Sequence, residues 1–151
     1  MSLDPLSLDF ALGLLDRIGV LVFAISGGIV AVRARMDLLG VLVLSFLPAL
    51  GGGTLRDLIL DAPVFWLTDP WSLFMVLLGA TLSFLFASSV ESFKPLRWAD
   101  ALGLSLFAVA GAAKTLDLGH SLTIAVIMGG VTASAGGLLR DVVADREPLL
   151  L

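Results

Sequence analysis

Two Arg-Asp dipeptides lie in strongly apolar stretches of this 151-residue chain: Arg56-Asp57 in LGGGTLRDLILD and Arg140-Asp141 in SAGGLLRDVVAD. Two further aspartates, Asp16 and Asp100, each open a run of apolar and small residues, DRIGVLVFAISGG and DALGLSLFAVAGA. Ionisable side chains at membrane depth are costly and persist mainly in pairs or along ion and substrate pathways. The chemistry open to such a set is electrostatic: a carboxylate attracts a cation and a guanidinium shapes the local field. Where a helix is broken, freed amides can hold an anion and freed carbonyls a cation. Covalent and metal chemistry find no support. The chain has no cysteine and a single histidine, His120, and no phosphate-binding loop, nucleophile elbow or zinc spacing. No enzyme activity and no cofactor are expected.

Depth decides how the dipeptides are read. A helix ending at Leu55 makes Arg56-Asp57 an interfacial anchor; one continuing through Leu58, Ile59 and Leu60 to Asp61 puts the pair inside the apolar zone, and this second reading is adopted. Neighbouring helical residues point about 100° apart. Arg56 is therefore expected not to neutralise Asp57, and Arg56 and Arg140 to pair with aspartates on other helices: Asp16, Asp100 or the opposite copy's Asp.

The elements that must position these groups are membrane spans. Hydrophobic residues make up 58% of the chain, charged residues 15%, and the mean hydropathy is +1.06, values that suit a bilayer and not water. Uncharged runs at 38–55, 70–90 and 121–139 approach the roughly 20 residues that cross a hydrocarbon core. Runs at 18–32 and 101–113 reach that length if Asp16 and Asp100 are admitted to their first turns. The expected fold is an all-α membrane protein with five helices. The net charge of −4 offers no basic surface for nucleic acid, and the acidic N-terminus is unlike a cleaved secretory signal. Arg33, Arg35, Lys94, Arg97, Arg140 and Arg146 collect on one side of five spans, against Arg17, Arg56 and Lys114 on the other, so the N-terminus is expected outside.

An 84-residue shift superimposes the two halves without a gap, giving twelve identities over positions 16–60, against about 4 to 5 expected by chance in this composition. Asp16, Gly19, Phe23, Gly27, Gly52, Gly53, Arg56 and Asp57 recur as Asp100, Gly103, Phe107, Gly111, Gly136, Gly137, Arg140 and Asp141, and Asp61 recurs as Asp145. Each unit holds three helices, an odd number, so the copies are inverted in the bilayer. Residues 1–92 form the first repeat; residues 93–151 form the second, its third helix absent. Inverted repeats place equivalent broken helices opposite each other near the midplane, where ion sites commonly lie.

The expected break is at Pro48 and Gly51, Gly52 and Gly53, with Gly136 and Gly137 as its second copy. Proline removes a donor, and glycine has the lowest helix propensity after proline. A kink or unwound turn there must face protein or a wet cavity, because lipid satisfies no backbone group. Stripes of small residues, Ser45, Ala49 and Gly53 in one copy and Gly129, Ala133 and Gly137 in the other, fit tight helix packing as well as function. Lys114 has two readings, a snorkelling lysine at a helix end or a lining of a pathway. His120 is read as interfacial, and Trp66, Trp71 and Trp98 as an aromatic belt.

With GGGTLRD and GGLLRD paired at matching repeat positions, the sequence resembles the trimeric intracellular cation channel (TRIC) family, in particular its prokaryotic members, which overlap the bacterial glycine transporter domain family. The resemblance covers residues 16–145. It implies a seven-helix protomer, a homotrimer in a prokaryotic cell (inner) membrane, and a separate pore in each protomer selective for monovalent cations such as potassium. It makes Arg56, Asp57, Arg140 and Asp141 pore or pore-supporting residues. The basic cluster with which animal members bind a phosphoinositide is not matched, and the second repeat's third helix and the family's seventh are expected beyond Leu151. Three functions compete: a potassium channel with Phe23 and Phe107 as its apolar constriction, a carrier for a small zwitterion such as glycine, and a non-transporting scaffold.

Overall fold

The computed structural model describes residues 5–86 and 94–145, with side chains from residue 10 and, after the gap, from residue 97. Its elements are α1 (Pro5–Arg33), α2 (Leu38–Ile59), α3 (Phe65–Thr68), α4 (Pro70–Phe86), α5 (Lys94–Asp117) and α6 (Leu122–Val143). The five long helices are those expected. The sixth, α3, is a single turn that the sequence reading did not separate from the loop before α4. Four segments are long and apolar enough to span a membrane: Phe10–Arg33, Leu38–Ile59, Arg97–Asp117 and Leu122–Val143. A 22-residue helix extends about 33 Å, close to the roughly 30 Å of a hydrocarbon core. α4 has 17 described residues. The expected continuation of that span to residue 90, the boundary at 92 and Arg146 lie outside the described residues.

Each copy of the repeat begins with an antiparallel helix pair. Asp37 caps α2 by accepting from Gly40 N at 2.8 Å, and its repeat mate Ser121 caps α6. The preceding turns contain Arg35 and Gly119, also repeat mates, both with positive φ (56° and 84°). The backbone keeps its conformation even where the residue type changes. Asp61 and Asp145, duplicated in sequence, both take a left-handed φ of 51° just past α2 and α6, a conformation that Asp tolerates better than most residues. Their recurrence is explained by ending a helix.

α1 packs on α2, α4 and α5, α5 on α6, and α2 on α6. The pairs α1·α5 and α2·α6 each join equivalent helices of opposite repeats. Their shared core holds Val20, Phe23, Ala24, Ala49, Leu50, Phe65, Val76, Phe107 and Ala133. The charged groups singled out above surround it: Arg56, Asp57, Asp100, Arg140 and Asp141 are all buried.

Candidate functional site

The duplicated glycines make the crossing between α2 and α6. A Cβ on Gly52 would strike the carbonyl of Thr132, and one on Gly136 the carbonyl of Pro48. Since Thr132 is the repeat mate of Pro48, this is one contact made twice about a pseudo-twofold axis. The expected break takes a different form from an unwound turn: α2 runs helical through Pro48 and the glycines, and α6 is likewise continuous. In α2 it is the hydrogen-bond ladder that is interrupted. Pro48 brings no donor to the Leu44 carbonyl, and Gly27 on α1 lies against that oxygen. In the second copy the Thr132 hydroxyl donates to the equivalent carbonyl, of Met128, at 2.6 Å, a bond that tends to bend a helix. Thr132 thus stands for Pro48, a substitution that residue identity alone did not reveal. Gly53 is covered by the Phe65 ring and Gly51 by Leu139, whereas Gly137 has open space before it.

The two phenylalanines meet at the centre. Phe23 and Phe107 are each 1% exposed, with ring centroids 5.2 Å apart and planes inclined at 34°. Each ring lies over the other repeat's glycine: a Cβ on Gly19 would be 2.7 Å from Phe107, and one on Gly103 2.9 Å from Phe23. Gly19 and Gly103 are required by this approach.

The ion pairs depart from the expectation in one respect and meet it in another. Adjacent residues do pair: Arg56 Nε donates to Asp57 Oδ1 at 2.8 Å, and Arg140 Nε to Asp141 Oδ1 at 2.8 Å. The 100° offset separates Cβ directions only; the long arginine chain folds back around the helix, and burial of both partners favours its doing so. Arg140 also reaches another helix, as expected. Its Nη1 donates to Asp100 Oδ1 at 2.5 Å and to the Ser26 hydroxyl, and Ser26 donates to the same Asp100 oxygen at 2.6 Å. No equivalent pair joins Arg56 to Asp16 among the described residues. Asp57 takes instead the Phe65 amide at 2.9 Å and the Lys114 ammonium at 3.0 Å. Lys114 turns its ammonium to the buried Asp57 carboxylate and lines a cavity. Nothing in the local pattern marks Ser26 as a bridge, since serine in an apolar helix is common.

A cavity of about 370 Å³ is lined by Phe23, Arg97, Asp100, Leu104, Gly137, Arg140 and Asp141. A second, of about 280 Å³, is lined by Gly13, Asp16, Phe65, Asp69, Ala110, Lys114 and Asp117. Asp16 and Asp100 are repeat mates, as are Gly13 and Arg97, so the two cavities correspond at these positions while the rest of their linings differ. Along α5, Asp100 and Leu104 belong to the first and Ala110, Lys114 and Asp117 to the second, with Phe107 between. Among the described residues no cluster of three or more His, Cys, Asp and Glu side chains is arranged to hold a metal. His120 is exposed, as are Trp71 and Trp98, whereas Trp66 turns inward and donates to the Thr54 hydroxyl at 3.0 Å.

A family model described as glycine transporter matches residues 13–88 and 97–151. A UPF0126 membrane protein of Vibrio cholerae is 42% identical over 144 residues, which cover 91% of this chain and 59% of that protein. The UPF0126 inner membrane protein YadS of Escherichia coli is 40% identical over 142 residues, covering 91% of this chain and 68% of its own length. The chain therefore spans between about three-fifths and two-thirds of these relatives. The crystal structure of a TRIC trimeric intracellular cation channel orthologue from Rhodobacter sphaeroides superimposes with a TM-score of 0.90 at 42% identity, over 93% of this chain and 74% of that one.

Proposed function

This chain belongs to the glycine transporter family of membrane proteins, to which prokaryotic TRIC channels are similar in sequence and fold, and from that premise we propose that its two cavities are the halves of a cation pathway. The observation that carries the reading is their correspondence: two cavities holding the repeat mates Asp100 and Asp16, with Phe107 lying between their residues along α5 and Phe23 packed on its ring. The pathway runs from Asp16, Lys114 and Asp57 past the two rings to Asp100, Arg140 and Asp141, with the α2–α6 crossing at Gly52 and Gly136 as its wall. Gly51, Gly53 and Gly137 let neighbouring groups close on that wall or leave it open, and Pro48 and Thr132 set the course of the two helices.

Charge supports a cation. The second cavity is lined by Asp16, Asp69 and Asp117 against Lys114; Asp69 is paired with Arg17 and Lys114 with Asp57, which leaves Asp16 and Asp117 as its acidic groups without an ion pair among the described residues. A zwitterion carrier would hold a carboxylate at amides freed where a helix is broken, and α2 and α6 run helical through Gly51, Gly52 and Gly53 and through Gly136 and Gly137, so those amides stay within the helices. Cation conduction is therefore favoured over glycine transport. The full-length protein is proposed to be a homotrimer in the prokaryotic inner membrane, with its N-terminus outside and a pore for potassium or similar monovalent cations in each protomer. Residues 1–92 and 93–151 are its first repeat and the beginning of its second.

The test is the reversal potential of the full-length protein in a planar bilayer under a potassium chloride gradient. A cation pathway gives discrete currents reversing toward the potassium equilibrium potential. Saturable glycine exchange without unitary currents would replace this reading with the carrier.

A further inference from the structure

The repeat is not equally satisfied at its two ends. Arg140 is fully engaged: Nε and Nη2 lie on Asp141, and Nη1 lies on Asp100 and Ser26. The same set in the first repeat is Arg56, Asp57, Asp16 and, by the same shift, Ala110 for Ser26. Arg56 keeps its bond to Asp57, but its Nη2 is buried without a hydrogen-bond partner among the described residues, in a side chain only 1% exposed. Asp16 makes no ion pair among the described residues and lines the second cavity with Asp69, Lys114 and Asp117. A buried donor with no acceptor and a carboxylate with no ion pair thus stand at the repeat positions where Arg140 and Asp100 are joined in the other copy. The missing component is the hydroxyl: Ala110 lines the second cavity beside Asp16, where a serine would bridge the two as Ser26 bridges Arg140 and Asp100.

We propose that Arg56 and Asp16 form a second latch, the repeat mate of the Arg140–Asp100–Ser26 latch, which stands open here because Ala110 lacks the bridging hydroxyl, so that Ser26 and Ala110 decide which end of the pathway offers a free carboxylate. The proposal rests on the reading of the two cavities as ends of one pathway. At the Asp100 end the charge is paired with Arg140, which together with Ser26 holds Oδ1, whereas Oδ2 has no hydrogen-bond partner among the described residues. At the Asp16 end a cation and the Arg56 guanidinium compete for the carboxylate, so cation entry there displaces, or is displaced by, closure of the latch. A pathway built from two similar halves is thereby given one weakly and one strongly neutralised end.

Thermal melting of the full-length protein in detergent tests the latch without requiring conduction. Ala110→Ser supplies the bridge and is expected to raise the melting temperature by about 2–4 °C. The rise should vanish in an Asp16→Asn background. Ala110→Cys, nearly the same size but a poor donor, should give no rise. Equal rises in both backgrounds, a rise with cysteine as large as with serine, or no rise with serine would overturn the proposal. In bilayers, Ala110→Ser is expected to lower the current carried by cations entering at the Asp16 end. Melting shifts as expected in a protein that carries no current would retain the latch and reject the channel, so the two failures are told apart.

Discussion

Neutralising Asp100 and neutralising Asp16 should have very different costs, although the two aspartates are repeat mates. Asp100 accepts from Arg140 at 2.5 Å and from Ser26 at 2.6 Å, and bonds to a charged group contribute about 1.5–3 kcal/mol against about 0.5–1.5 kcal/mol for neutral pairs. In Asp100→Asn an amide oxygen can keep both contacts: the Ser26 bond becomes a neutral pair, a loss of about 1 kcal/mol, and the Arg140 bond stays charge-assisted but loses its ionic partner, so the two together lose about 1–3 kcal/mol. The new amide nitrogen takes the place of Oδ2, which is buried without a partner among the described residues, and a buried unsatisfied donor adds about 1–3 kcal/mol. The total of about 2–6 kcal/mol brackets the 3–5 kcal/mol typical of breaking a buried pair. Asp141 remains to balance Arg140, which favours the lower half of that range. Asp16→Asn breaks no ion pair seen here and should cost about 1 kcal/mol or less. Melting of the two variants in the same detergent measures the difference: Asp100→Asn should fall well below the parent, with Asp16→Asn close to it. Equal losses, or a larger loss at Asp16, would refute the asymmetry on which this reasoning depends.

Other perturbations follow from the same geometry. Gly136→Ala drives a methyl into the Pro48 carbonyl and should cost about 1–3 kcal/mol by overpacking, seen as a lower melting temperature; an unchanged one would show that the α2–α6 crossing is looser than described. Phe107→Ala removes one of the two rings between the cavities, so unitary cation current should rise even as stability falls by about 3–5 kcal/mol; a smaller current from folded protein would place the pathway elsewhere. Lys114→Gln takes a cation from Asp57 and from the second cavity. Cation current should increase at low salt, and variant and parent should converge at 1 M salt, where the screening length is only about 3 Å. A salt-independent difference would argue against an electrostatic role.

Much of the frame was readable because a membrane leaves few alternatives. Long uncharged runs must be helices, and an odd-numbered repeat must invert. The duplicated glycines were also legible as special positions, but their purpose was not: low helix propensity suggests a break, while the structure uses the absence of Cβ to seat Gly52 and Gly136 on opposing backbone. Propensity reports what a residue does to its own helix and says nothing of the helix it meets. Arg56-Asp57 was misjudged for a related reason, since a helical wheel places Cβ atoms and not the end of a flexible guanidinium chain. Ser26, Ala110 and Thr132 are not legible in the sequence because each differs from its repeat mate, so no identity marks them. Their roles emerge only when the shift is applied to contacts, where Thr132 occupies the place of Pro48 and Ala110 that of Ser26. Lys114 was legible as a charge near a glycine face, but its partner Asp57 is 57 residues away, beyond any local pattern.

The most direct test of the pathway uses Gly13 and Arg97, repeat mates that line the second and first cavities respectively. Gly13→Cys and Arg97→Cys, placed singly in a cysteine-free full-length background, are exposed during bilayer recording to a membrane-impermeant thiol reagent from one side and then from the other. The account predicts that each cysteine is modified with a change in potassium current from one side only, and that the sides are opposite. Modification of both from the same side, or complete modification that leaves the current untouched, would contradict a pathway joining the two cavities.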